Sequence, residues 1–250
     1  MLGWKPLALV TIIIGFIQLA SSTIKADETK LPTLNRTQIE QIVRDFLISN
    51  PEVIEEAMNV LTKKREKYKF SQKKAALVKF RRFIKSHPMT PVSGNTRGDI
   101  TVAEFFDYQC GYCKRSLSTM IHLLKTDKNV RVVWKEMPIL GPVSWLAAQA
   151  AMASIKQNKY FDFHVQMMES RGRLSESKIM EIARSVGLNV KRLKNDMKDP
   201  RIEAYLNETL ELAKALGIQG TPAFVIEDTV VGGAIDQKGI KRIIAELRGG

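Results

Sequence analysis

The two cysteines are the residues of this 250-residue chain best suited to chemistry, and only Gly111-Tyr112 separates them. Hydrophobic patterning predicts a strand over 100–106 before this motif and a helix over 111–125 that begins inside it. Cys110 therefore faces the unpaired N–H groups and the positive dipole at the start of a helix, which favour a thiolate over a thiol. We predict that Cys110 is a nucleophile.

Cys113 completes a dithiol. Because it lies one turn inside the predicted helix, it is placed to be buried and to attack a mixed disulfide on Cys110 from behind. Such a pair takes, gives or reshuffles a disulfide through one covalent intermediate. No cofactor is expected beyond the redox-active Cys110–Cys113 disulfide itself.

Other uses of two cysteines fit this sequence less well. Haem attachment requires a histidine after the second cysteine, where the chain has Lys114. Two cysteines exclude a four-thiolate zinc or iron–sulfur site, and His87, His122 and His164 are not spaced to complete a zinc site. No metal ligand is predicted, although two thiolates and ten methionines leave Cu(I) binding as an alternative.

Two further features accompany the cysteines. Thr221-Pro222 opens a predicted strand, where proline is confined to an edge, a bulge or a cis bond. Glu104 lies within the apolar run 100–106, six residues before Cys110. Burying an acid is costly, so Glu104 either points outward or serves as a proton acceptor for the buried thiol, and the second interpretation is preferred.

The elements around these residues predict a mixed α/β fold. A strand, a helix and a second strand over 130–134 indicate a parallel crossover. Residues 143–217 then form a helical insertion before a hairpin, and a helix ends the chain. The predicted helices of the insertion include 144–157, 175–186 and 201–216; the hairpin strands are 223–226 and 229–231, and the last helix is 237–248.

The region 27–87 is predicted to be helical. Apolar residues recur at helical spacing over 36–49, and a second helix extends to about His87. Two helices enclose almost no core, so we expect the apolar face to pack on another copy of the chain or on the main domain, the first being preferred. Residues 61–85 hold eleven basic side chains and one acidic one within a formal net charge of +13. This charge is local, so no nucleic-acid partner is expected; a solvated helix face is preferred over a lipid-binding one.

The first 26 residues have the pattern of an export signal. Lys5 precedes an apolar run from Leu7 to Ala20, which is shorter than the roughly 20 residues of a membrane span. Cleavage is expected after Ser22 or Ala26, and an uncleaved anchor is the alternative. The folded part is expected in a bacterial periplasm.

These motifs together resemble the DsbA-like branch of the thioredoxin superfamily. The resemblance covers residues 91–250 and includes the run 102–109, the helical insertion and Thr221-Pro222. Residues 46–54 are similar to the oligomerising extension of ScsC-like, multimeric members. The resemblance implies a thioredoxin-like fold with a helical insertion over 88–250, preceded by a helical oligomerisation region over 27–87.

The family's residue roles follow from the same resemblance. It implies that Cys110 is the nucleophile, Cys113 the resolving thiol and Pro222 a cis-proline beside them. Thr221 would offer backbone contacts to a substrate strand, with Gly111 and Tyr112 also touching substrate, and Glu104 matches the buried acid near the active site.

The dipeptide between the cysteines departs from the oxidase DsbA, which has Pro-His there. Gly111-Tyr112 is instead the dipeptide of the isomerase DsbC. The sequence therefore predicts a periplasmic, homo-oligomeric disulfide isomerase, with a dimer preferred over a trimer. Its implied partners are unfolded or misoxidised exported proteins and a membrane reductase of the DsbD type. A dithiol oxidase recharged by a DsbB-type partner, a bifunctional enzyme, and a copper-binding or surface-interaction protein are the alternatives.

Overall fold

A computed structural model describes residues 34–249, which form a mixed α/β structure. The predicted export signal over 1–26 lies outside the described residues. Within the described part, no helix is both long and apolar enough to cross a membrane. The strands are β1 (Val92–Gly94), β2 (Ile100–Phe106), β3 (Val130–Glu136), β4 (Ala223–Ile226) and β5 (Thr229–Gly232). The helices are α1 (Arg36–Ser49), α2 (Glu52–Ser86), α3 (Gly111–Thr126), α4 (Pro142–Ser154), α5 (Tyr160–Glu169), α6 (Glu176–Ser185), α7 (Val190–Asp196), α8 (Pro200–Ala215) and α9 (Gln237–Leu247).

The five strands form one sheet in the order β1-β3-β2-β4-β5. β2 pairs in parallel with β3, with Ile100 opposite Val130, and the other three pairings are antiparallel. The parallel crossover predicted through α3 is therefore confirmed. All seven residues of β2 are buried, as expected for a central strand covered on both faces.

The helical insertion between the sheet fragments is confirmed and consists of α4 to α8. The helix predicted over 144–157 ends as an α-helix at Ser154, because a 3-10 turn follows over Ile155–Gln157 and Asn158 adopts a left-handed conformation. α5 then begins at Tyr160.

The chain divides into two compact units between Met58 and Asn59. The domain boundary predicted at residue 87 stays a prediction. The part of α2 from Asn59 onward belongs to the second unit, since an apolar stripe within the basic run is buried in its core. That stripe consists of Ala76, Leu77, Phe83 and Ile84. The fully buried Lys135 of β3 holds the end of α2, because its Nζ donates a hydrogen bond to the Phe83 carbonyl at 2.6 Å.

The first unit, where described, contains α1 and the start of α2. A capping box of Asn35 and Gln38 begins α1, and no residue of that helix is buried. Its apolar face is exposed in the single chain, with Ile42 and Phe46 each more than half exposed. The predicted apolar face is thus present on α1, and its side chains are exposed.

Candidate active site

The turn after β2 places Cys110 at the start of α3. Cys110 is the N-cap residue, and its sulfur accepts a hydrogen bond from the Cys113 backbone N–H at 3.4 Å. Cys110 retains 8% of its surface and Cys113 only 1%, and both are free thiols. The helix start thus makes Cys110 the more accessible sulfur, with Cys113 directly behind it.

The start of β4 lies against this pair. The Thr221-Pro222 peptide bond is cis, and the Cys110 thiol donates to the Thr221 carbonyl oxygen at 3.2 Å. The sheet brings these distant segments together because β4 pairs directly with β2, the strand that leads to Cys110. The structure therefore gathers Cys110, Cys113, Thr221 and Pro222 at one site.

Cys113 is held as a thiol. Burial raises the pKa of the Cys113 thiol well above its usual range, and hydrogen bonds involving Asp107 and Thr221 offset only part of this effect. A buried thiol is a poor nucleophile until a base takes its proton. Attack by Cys113 on a mixed disulfide therefore needs a proton acceptor.

Glu104 is a buried carboxyl group in the middle of β2. It is 2% exposed, so the outward-facing alternative is wrong, and the reason is that both faces of β2 are covered. Burial raises its pKa to about 8, and the charge of Cys110 adds to the shift. This carboxyl group can therefore gain and lose a proton near neutral pH.

The two residues between the cysteines lie at the surface. Gly111 is exposed, and the Tyr112 side chain is 62% exposed. The Arg115 guanidinium lies 4.3 Å from the centre of the Tyr112 ring, within cation–π distance. Both positions are thus open to contact from a bound chain.

Asp107 is a site residue that the sequence reasoning missed. Its buried carboxylate accepts hydrogen bonds from the Ile139 and Leu140 backbone N–H groups, each at 2.9 Å, and from the Ser144 hydroxyl at 2.7 Å. It also accepts from the Gln109 N–H at 2.8 Å. Asp107 therefore fixes the turn before Cys110 against the loop that leads into α4. The local sequence signal of such a turn is an aspartate just after a strand, because its side chain can accept a hydrogen bond from the backbone N–H two residues later.

A second missed feature is a buried polar network behind the site. The Glu136 carboxyl accepts hydrogen bonds from the Tyr108 and Tyr160 hydroxyls at 2.9 and 2.8 Å, and the Tyr108 hydroxyl lies 3.1 Å from His164 Nδ1. Burial raises the pKa of Glu136 well above its usual range. Burial also lowers the pKa of His164 to about 3, so His164 is neutral near pH 7. Across residues 34–249, no three His, Cys, Asp or Glu side chains are gathered as for a metal ion.

Two family models match the chain. Residues 101–245 match the DsbA-like thioredoxin domain, and residues 35–67 match the N-terminal domain of the copper resistance protein ScsC. The first match covers the cysteine motif, the insertion and the cis-proline segment.

Solved structures of oxidoreductases are also similar to this chain. A thioredoxin-like oxidoreductase from Silicibacter pomeroyi is 41% identical, covering 68% of this chain and 98% of its own, with a TM-score of 0.67. Proteus mirabilis ScsC in a transitional conformation is 31% identical over 85% of this chain and 98% of its own, with a TM-score of 0.64.

Curated relatives include longer proteins. The Na(+)/H(+) antiporter NhaA 1 of Salinispora arenicola is 27% identical over 145 residues, which is 56% of this chain. The chain spans only 22% to 27% of the first curated relatives it matches, all of them such antiporters.

Proposed function

We propose that this chain, which belongs to the DsbA-like thioredoxin family of thiol–disulfide oxidoreductases, acts mainly as a disulfide isomerase on exported proteins in the periplasm. One observation carries the proposal. The Cys110 sulfur lies at a helix start within hydrogen-bond distance of the Thr221 carbonyl, with the buried thiol of Cys113 one turn behind. This is the geometry of an attacking and a resolving thiol.

The proposed reaction begins with the Cys110 thiolate. It attacks one sulfur of a non-native client disulfide, so that a Cys110–client disulfide forms and the other client sulfur leaves as a thiolate. A client thiolate then attacks the mixed disulfide, forming a new client pairing and releasing Cys110. No net electrons move, so no cofactor is needed.

Cys113 resolves the mixed disulfide between Cys110 and the client when no client thiol does so. The Cys113 sulfur attacks the Cys110 sulfur of the mixed disulfide. The Cys110–Cys113 disulfide forms, and the client leaves with its own disulfide reduced by two electrons. The enzyme must then be reduced again, for which we propose a membrane reductase of the DsbD type. Glu104 is the proposed acceptor of the proton that Cys113 loses. With a pKa of about 8 it is mostly protonated near neutral pH, and the minority ionised form is the one that accepts the proton.

Gly111, Tyr112 and Thr221 are the proposed contacts of the client chain. The first two are exposed beside the reactive sulfur, and Thr221 lines a cavity of about 370 Å³ next to Pro222. An extended client segment can therefore lie across the helix start and along the cis-proline segment.

Self-association through the first unit is part of the proposal. The exposed apolar face over 36–61 has no partner among the described residues, and such a face favours burial against a second copy. A homo-oligomer, with a dimer preferred, would hold several active sites around one misfolded client and raise their effective concentration.

The test is reactivation of a scrambled multi-disulfide protein in a mild glutathione buffer. We expect recovery with the wild type and none with Cys110→Ala. The pair Ile42→Asp and Phe46→Asp should give a monomer that still reduces small disulfides but reactivates poorly, whereas Gln41→Asp on the same helix should behave as wild type. An unchanged mass in the double variant would contradict the oligomerisation proposal.

The alternatives give different results in the same experiment. A failure to reactivate combined with fast oxidation of a reduced substrate would identify a dithiol oxidase recharged by a DsbB-type partner. The match of residues 35–67 to the N-terminal domain of a copper resistance protein is the observation that favours copper binding as an alternative function. Tight one-to-one Cu(I) binding without thiol exchange would favour it over the isomerase.

A further inference from the structure

A groove separates helix α2 from the β4–β5 hairpin. It has a volume of about 530 Å³, and the end of the hairpin from Asp228 to Val230 forms one side. The matched family models end at residue 67 and begin at residue 101, so this stretch of α2 lies outside both. The helix contributes Phe70, Lys73, Lys74, Leu77, Val78 and Arg81.

Ion pairs fix the helix beside the hairpin. Arg81 lies 3.3 Å from the Asp228 carboxylate, and Lys85 pairs with Glu227. Leu77 is buried beneath the same stretch of helix. The groove is therefore preformed and not created when something binds.

The groove combines apolar and cationic groups. Phe70 is 69% exposed and Val78 is 64% exposed, so both side chains offer apolar surface to a ligand. Arg81 is paired with Asp228, whereas Lys73 and Lys74 have no acidic partner among residues 34–249. The free charge of the groove is thus positive and complements a carboxylate.

The groove continues into the active site. Lys73 and Val230 line it and also line the smaller cavity at Thr221 and Pro222. The Thr221 carbonyl accepts the hydrogen bond from Cys110 Sγ. A chain whose cysteine is bonded to Cys110 can therefore follow an unbroken surface from the reactive sulfur to the groove.

The strand side of the groove also suits an extended chain. Among residues 34–249, β5 is the last strand of the sheet, so no strand of this part of the chain pairs with its outer side. Edge strands present unpaired N–H and C=O groups that an extended peptide can use.

We propose that this groove binds the part of a client polypeptide that flanks its reactive disulfide. It prefers an extended segment in which an apolar side chain stands next to acidic ones. This inference rests on the proposed function and adds a substrate preference to it.

The test compares exchange rates of the full mature chain with two peptide disulfides of equal length. The first peptide carries a leucine flanked by aspartates, and versions with this segment before and after the cysteine are both measured. The second peptide carries lysines in place of the aspartates. The wild type should favour the acidic peptide by about tenfold, since charge complementarity mainly changes association rates. Lys73→Glu combined with Lys74→Glu should reverse this preference. Lys79→Glu, on the same helix but outside the groove, should retain it.

Several results would overturn the inference. Equal exchange rates of the wild type with the two peptides would be one such result. A loss of preference in Lys79→Glu equal to that of the double variant would be another, because it would indicate an effect of overall charge and not of the groove. A double variant that changes only the oligomer mass would assign the groove to a second copy. One that loses only its affinity for vesicles of anionic lipid would assign the lysines to a membrane surface.

Failure of the proposed function would look different. The protein would then exchange neither peptide and would not react with a small aromatic disulfide. Binding of the cysteine-free acidic peptide, followed by fluorescence anisotropy, still decides the inference in that case. Binding weakened by the Lys73 and Lys74 reversals supports the groove, and no binding overturns it.

Discussion

Replacing Glu104 by glutamine should make the protein more stable at neutral pH. The folded state holds this carboxyl group with a pKa of about 8, against an ordinary value of 4.5. Between these values the folded state binds the proton and the unfolded state does not, so stability falls as the pH rises. Integrated from pH 4.5 to 7, the loss is about 3 kcal/mol in the free energy of unfolding. Glutamine has the same shape and no charge, so the variant lacks this loss.

The measurement is urea unfolding of the reduced protein at several values between pH 4.5 and 8. The difference between wild type and Glu104→Gln should grow with pH over this window and level off above pH 8. The cost of burying the glutamine amide is the same at every pH, so it cancels when only the pH dependence of the two free energies of unfolding is compared. Glu211→Gln, which changes an exposed carboxylate on α8, is the matched control and should show no such trend. A difference that is constant with pH would refute the buried, protonated Glu104.

Three further predictions concern other buried groups. Cys113→Ala should accumulate a mixed disulfide between Cys110 and a client, seen as a mass increase that a reductant removes, because the resolving thiol is gone. Burial lowers the pKa of Lys135 to about 7, so the wild type should gain roughly 3 kcal/mol of stability from pH 7 to 10, and Lys135→Met should lose this rise in pH-dependent unfolding. Asp107→Ala leaves two backbone N–H groups without their acceptor and should cost about 2 kcal/mol in urea unfolding while slowing client exchange.

The strand and helix around the cysteines could be predicted from the sequence for identifiable reasons. β2 is a continuous apolar run, and its predicted range 100–106 matches the structure. α1 was predicted over 36–49 from its apolar periodicity and is observed over that range. α5 and α7 were not predicted individually, although they lie within the predicted helical insertion over 143–217.

The core packing of α2 and the support of the site were harder to predict for a physical reason. The basic run over 61–85 obscured the stripe ending in Phe83 and Ile84 that packs into the core. Apart from Gln109, the partners of Asp107 lie more than thirty residues away in the chain, so only the fold brings them together. Thr221-Pro222 was placed beside the cysteines by family resemblance and not by any local spacing.

The surroundings of Cys110 combine charges of opposite sign, and this bears on the choice between isomerase and oxidase. Arg115 lies over the Tyr112 ring, and a side chain at Gly111 would meet its guanidinium at 3.7 Å. A guanidinium stays charged at every physiological pH, unlike a histidine between the cysteines. Glu104 acts in the opposite sense, since its ionised form and the Cys110 thiolate disfavour each other. The isomerase proposal requires a thiolate that can attack a client and re-form a disulfide with it, and the presence of one charge of each sign next to the cysteine motif is consistent with that requirement.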